Sequence, residues 1–141
     1  MKKNFMLIDD CEIELFINQK YIEKGVVDSK IKSFKRAKEA LDYLSSYNDK
    51  SSREDFFFPD IILLDLSMPE MNGFQFLKKF SELENSKLKS INIYILSYSI
   101  NFNEISVFEQ QNLCQGFINK PLSSQKIEQI IKQIANELSV Q

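Results

Sequence analysis

The sequence predicts an α/β fold: a five-stranded parallel sheet, doubly wound in (βα)5 order, with helices on both faces. Three observations predict it. Phe5-Met6-Leu7-Ile8 and Ile61-Ile62-Leu63-Leu64 are apolar without alternation, so both faces of each strand must be covered. Strand-like and helix-like segments alternate five times along the chain, which implies parallel pairing through crossovers. The strand-like segments also stop at polar side chains, namely Asp9-Asp10, Asp65, Ser97 and, after the last strand, Lys120. In such a sheet these ends share one edge, where ligands bind.

The elements follow in order. Phe5 to Ile8 is a buried strand. Residues 11–24 place Ile13, Phe16, Ile17 and Tyr21 at helical spacing, with Gly25 expected as the C-terminal cap and Asp10 able to cap the start. Residues 29–34 are more polar and suit an edge strand. Residues 35–47 carry Ala37, Ala40, Leu41 and Leu44 on one helical face, and 48–54 read as a polar loop. Phe56-Phe57-Phe58 before Pro59 either covers the helix–sheet edge or presents a partner-binding patch. After the Ile61–Leu64 strand, Glu70-Met71-Asn72-Gly73 is turn chemistry, and Phe74, Leu77 and Phe80 form the next helical stripe. Ile91, Ile93, Ile95 and Leu96 make the fourth strand. Residues 101–113 form the weakest helix, with Ile105 and Phe108 beside a polar run. Gly116-Phe117-Ile118 is a short fifth strand. Ser123 or Ser124 starts the last helix, whose Ile127, Ile130, Ile131, Ile134 and Leu138 make the cleanest amphipathic stripe.

Composition narrows the function. With 141 residues, 43% of them apolar and 27% charged, the chain suits one soluble domain over 1–141. No stretch reaches the ~18 consecutive apolar residues of a membrane span, and the short N-terminal apolar run ends in two acids, so a cytoplasmic protein is expected. The net charge of −2 and scattered lysines argue against a nucleic-acid surface. There is no histidine, and Cys11 and Cys114 lie far apart. That excludes the common zinc patterns and Ser-His-Asp or Cys-His catalysis.

What remains is the edge itself. Two adjacent carboxylates repel each other unless a cation or donors sit there. Asp9, Asp10 and Asp65 together suit a hard divalent cation such as Mg²⁺, which takes a few carboxylates plus waters and phosphate oxygens. A lysine as a point charge and a serine hydroxyl would complete a site for a phosphoryl group. A carboxylate there can be the nucleophile and form an aspartyl phosphate.

With those residues in view, the chain resembles the receiver domain of two-component response regulators, and the single-domain chemotaxis-type receivers in particular. The matching stretches are Leu7-Ile8-Asp9-Asp10, residues 62–73 from Ile62 to Gly73, Ile95-Leu96-Ser97 and residues 116–122 with Lys120-Pro121. The resemblance implies a flavodoxin-like three-layer sandwich. It implies that Asp65 is the phosphoacceptor and that Asp9, Asp10, Asp65 and the backbone carbonyl of Ser67 hold Mg²⁺. Lys120 and Ser97 would bind the phosphoryl group, Ser97 and Phe117 would form the switch, and Pro121 would follow the lysine, often through a cis bond.

It further implies a role in bacterial phosphorelay signalling, with a sensor histidine kinase or phosphotransfer protein as donor. The chain would not be an enzyme, beyond catalysing its own phosphorylation and a slow autodephosphorylation. No output domain is expected. The output surface would be the fourth helix, fifth strand and fifth helix, with a homodimer through it as one option. The helix after Cys11 would be the docking face, with Glu14, Asn18 and Glu23 as exposed positions. Tyr98, where the family usually has a small residue, would narrow access to Asp65. Cys11 is expected to be an inert thiol rather than a redox sensor, because its neighbours are acidic.

Three other readings compete. An aspartate-nucleophile phosphatase has a second acid two residues after the nucleophile, where this chain has Ser67. A flavodoxin-like cofactor carrier needs a phosphate-binding loop after the first strand, where this chain has Asp9-Asp10-Cys11-Glu12, which repels phosphate. A degenerate receiver would serve as an interaction module alone, but here the set of site residues is intact.

Overall fold

The computed structural model describes residues 3–47, 56–98, 103, 105–106 and 112–140. Five parallel strands form one sheet in the order β2-β1-β3-β4-β5: β1 (Lys3–Ile8), β2 (Ser29–Phe34), β3 (Ile61–Asp65), β4 (Asn92–Ser97) and β5 (Gly116–Asn119). The helices α1 (Glu12–Gly25), α2 (Ala37–Ser45) and α3 (Gly73–Ser81) and a C-terminal helix (Ser124–Val140) cover it. The polar segment 29–34 lies at an edge, as expected, because an edge strand has a side that water can reach. None of the helices among the described residues is long and apolar enough to cross a membrane.

Side chains alternate across each strand, so every apolar strand feeds two cores. Met6, Ile8, Ile62, Leu64, Ile93 and Ile95 pack with Ala40 and Leu44 of α2 and Phe76, Leu77 and Phe80 of α3. Phe5, Leu7, Ile61, Leu63, Tyr94 and Leu96 pack with Leu15 and Ile22 of α1 and Ile127, Ile130 and Ile134 of the C-terminal helix. All five residues of β3 are buried. Ser123 starts the C-terminal helix, its Oγ accepting from the Lys126 amide at 3.2 Å.

Three expectations change. α1 forms, but its buried face is Leu15, Asn18 and Ile22. Ile13, Phe16 and Ile17 are 70%, 62% and 43% exposed, so the apolar spacing that announces the helix lies mostly outside the core. Gly25 is not a left-handed cap, since no glycine has positive φ; the chain leaves α1 at Val26, whose amide donates to the Ile22 carbonyl. The glycine instead admits the neighbouring helix, because a Cβ there would meet the Ser124 carbonyl at 3.3 Å. The α1 start is capped by neither acid: Cys11 is the N-cap and no side chain makes a capping hydrogen bond there.

α3 is built more conventionally. Asn72 accepts from the Gln75 amide and Gln75 accepts from the Asn72 amide, both at 2.9 Å, a reciprocal capping box. Gly73 lies so close to the end of β3 that a Cβ would come within 3.1 Å of the Asp65 carbonyl and of Leu66 Cα. Phe56 stacks on Tyr43 with centroids 4.6 Å apart, and Phe58 meets Tyr47 edge-on at 4.9 Å, so these two rings cover the α2 side of the core. The connector 48–54 lies outside the described residues. So does most of the helix expected over 101–113, of which Asn103, Ile105 and Ser106 are described and helical.

Candidate functional site

Register brings the expected residues together. Ile8 pairs with Leu64, so Asp9 and Asp65 stand side by side one step on. Asp65 pairs with Leu96, one residue before Ser97, and Ser97 pairs with Asn119, one residue before Lys120. The Lys120 amide donates to the Ser97 carbonyl at 2.9 Å, which ties the last strand end to its neighbour. The Lys120–Pro121 bond is cis. Asp9, Asp10, Asp65, Ser67, Ser97 and Lys120 all line one cleft of about 260 Å³, together with Cys11, Glu14 and Tyr98.

Alternation sorts these groups between the two faces. Asp9 continues the parity of Phe5 and Leu7, Asp65 that of Ile61 and Leu63, and Lys120 that of Ile118, so all three belong to the α1 side. Ser97 and Phe117 share parity with Ile93 and Ile95, and Phe117 packs against the α3-side core, 6.5 Å from the Phe74 ring.

Lys120 organises the charge. Its Nζ lies 2.8 Å from Asp65 Oδ1, 2.8 Å from Glu14 Oε2 and 3.3 Å from Asp9 Oδ2, with its side chain 6% exposed. Burial alone would lower its pKa, but the hydrogen bonds to Asp65 and Glu14 and the charges of Asp9 and Asp65 hold it above the ordinary value. The lysine therefore stays charged. Burial raises Asp65 despite the lysine. Burial also pushes Asp9 up to about 6, aided by the Asp65 charge and opposed by the Cys11 amide, which donates to Asp9 Oδ1 at 2.9 Å.

Asp9, Asp10 and Asp65 each offer an oxygen within 4.8 Å of the others. Two ligands on opposite sides of Mg²⁺ stand about 4.2 Å apart at the usual ~2.1 Å bond length, so the cluster fits such an ion with little adjustment. Asp10 is exposed, which leaves room for the water ligands Mg²⁺ retains. The carboxylates are also less isolated than the strand ends imply, since Lys120 already neutralises part of their charge.

Glu14 is the site residue that sequence reasoning misplaces. Read as an exposed position on α1, it reaches into the cleft with a side chain 22% exposed, bonded to Lys120 and to the Tyr98 hydroxyl. Asn18, also read as exposed, is buried. The available signal is the alternative stripe on α1: with Leu15 and Ile22 inward, Glu14 lies one turn above Asn18 on the side that faces the strand ends. Tyr98 is 68% exposed, its ring 5.2 Å from Lys120 Nζ at the cleft mouth.

Comparison with known proteins agrees with this geometry. The response regulator receiver domain family matches residues 5–132. The polar-differentiation response regulator DivK of Brucella ovis is 24% identical over 132 residues, covering 94% of this chain and 95% of that protein. The sensory/regulatory protein RpfC of Xanthomonas campestris is 25% identical over 130 residues; they cover 92% of this chain but only 16% of RpfC. A two-component response regulator from Cytophaga hutchinsonii has the same fold, with a TM-score of 0.81 at 22% identity over 96% of this chain and 99% of that one. The chain belongs to the response regulator receiver domain family.

Proposed function

We propose that Asp65 of this receiver domain accepts a phosphoryl group from a histidine of a sensor kinase or phosphotransfer protein, in a Mg²⁺-dependent step the domain itself catalyses. The observation that carries the reading is Lys120 Nζ at 2.8 Å from Asp65, inside a three-carboxylate cluster at the carboxyl edge of the sheet. A carboxylate oxygen of Asp65 attacks phosphorus. The new O–P bond forms as the donor N–P bond breaks, and the electron pair leaves on the imidazole nitrogen. Asp9, Asp10, Asp65 and the Ser67 carbonyl would hold Mg²⁺, which when bound supplies positive charge for the phosphoryl oxygens. Lys120 binds one of those oxygens as a fixed cation. Water later cleaves the same bond slowly.

Ser97, at the end of the neighbouring strand, then donates its hydroxyl to the phosphoryl group, and the Phe117 ring turns toward the space it leaves. A preference of a few kcal/mol is enough to shift such a population. The altered surface, comprising the expected fourth helix together with β5 and the C-terminal helix, is read by a partner protein or a second copy.

Incubation with acetyl phosphate and Mg²⁺ tests the reading. Intact mass should show one added phosphoryl group, lost on removing Mg²⁺ and absent from Asp65→Asn. A phosphoryl group mapping to Asp9 or to a serine would overturn it.

A further inference from the structure

Lys120 has three N–H donors, and three carboxylates surround them: Asp65, Glu14 and Asp9. A phosphoryl oxygen arriving at Asp65 needs at least one of those donors, so one existing contact must yield. Asp65 is the residue that carries the group. Asp9 is 5% exposed and bound to the Cys11 amide. Glu14 is 22% exposed and lies outside the metal-binding cluster, so its carboxylate can be rehydrated most easily.

Glu14 is also tethered. While Oε2 meets Lys120, Oε1 accepts from the Tyr98 hydroxyl at 2.7 Å. Tyr98 directly follows Ser97, and its ring stands beside Lys120 Nζ. A chain of contacts thus runs along the mouth of the cleft, from the end of β4 through Tyr98 and Glu14 to the lysine.

Building on the receiver reading above, we propose that Glu14 is the displaceable partner of Lys120, a positioning residue that holds the lysine in the unphosphorylated domain and weakens its grip on an incoming phosphoryl group, with Tyr98 as its tether. On phosphorylation Lys120 turns to the phosphoryl oxygens. Glu14 then faces a new dianion without its counter-charge and swings outward, and the Tyr98 bond breaks or follows. The same pair sets how readily the cleft fills, because the lysine must leave Glu14 before it serves the phosphoryl group.

The test is titration with beryllium fluoride, the phosphoryl mimic, at saturating Mg²⁺, followed by NMR. Glu14→Gln keeps the shape and loses the charge, and should bind about two- to fivefold tighter, the range of a partly exposed ion pair. Tyr98→Phe should shift affinity the same way by less, and the double variant should gain less than the sum. The gap between wild type and Glu14→Gln should shrink in about 1 M salt, which a merely structural role would not produce. Equal or weaker binding by Glu14→Gln overturns the proposal, and wild-type affinity in Tyr98→Phe removes the tether. Asp65→Asn separates the two readings. If wild type binds the mimic and Asp65→Asn does not, the receiver reading stands and only Glu14 is at issue. If wild type does not bind, both fall.

Discussion

α1 and α3 flank β3, the strand that ends at Asp65, from opposite faces, and they are built on opposite rules. α3 begins with a reciprocal capping box and turns Phe76, Leu77 and Phe80 inward. α1 has no side-chain cap, buries Asn18, and leaves Ile13, Phe16 and Ile17 in solvent. By strand alternation Asp9, Asp65 and Lys120 belong to the α1 side, while Ser97 and Phe117 belong to the α3 side. A helix that only packs shows its inner face in its apolar period. A helix that also serves a charged cleft gives up part of that period to the site.

The widest separation should appear in core truncations. Phe76→Ala should destabilise the domain by about 3–5 kcal/mol, since it opens a cavity at a fully buried ring. Phe16→Ala on the exposed face of α1 should stay within about 0.5 kcal/mol of wild type. Urea denaturation of both would expose an error in the faces if the two losses came out alike.

A second contrast is in pH. Burial pushes Asp9 up to about 6 in the folded protein from 3.8, so the native state binds this proton more tightly than the unfolded chain. The stability it contributes is complete below about pH 3.8 and is lost as pH rises through about 6, on the order of 2–3 kcal/mol. Mg²⁺ at the proposed site would need the deprotonated carboxylate, so added Mg²⁺ should stabilise the domain increasingly across the same window. Asp9→Asn should flatten both dependences, whereas Phe76→Ala should shift the whole curve without changing its shape. Identical pH slopes in wild type and Asp9→Asn would refute the assignment.

Smaller effects lie at the helix starts. Asn72→Ala removes one half of the capping box and should cost α3 about 1 kcal/mol. Cys11→Ser supplies α1 with a cap oxygen at an extended N-cap and should gain about half a kcal/mol. Thermal melts of the two variants should move in opposite directions, and a loss on Cys11→Ser would mean that the first turn of α1 is already satisfied.

The same contrast explains what was legible in the sequence. Short unbroken apolar runs bounded by prolines, such as Ile61–Leu64 between Pro59 and Pro69, read as strands covered on both faces, and the acids that end them mark one edge, so the sheet and the convergence of Asp9, Asp65, Ser97 and Lys120 were readable. Glu14 was not. A glutamate in the first turn of a helix has the same appearance whether it meets water or a lysine from a strand more than 100 residues later, and the exposed Ile13, Phe16 and Ile17 pointed to the wrong inner face. Gly25 misled for a related reason: a glycine at a helix end reads as a cap, while its actual constraint is Ser124 of a distant helix.

Gly73 has a mechanical consequence. A methyl group there would press on the Asp65–Leu66 backbone at 3.1 Å, and the Gly73 amide donates to the Leu66 carbonyl at 2.9 Å. The end of β3 is therefore braced against the first turn of α3, as against a stiff wall. A displacement of the Asp65 backbone toward α3 must therefore move the start of that helix with it. Substituting Gly73 would act as a wedge behind Asp65.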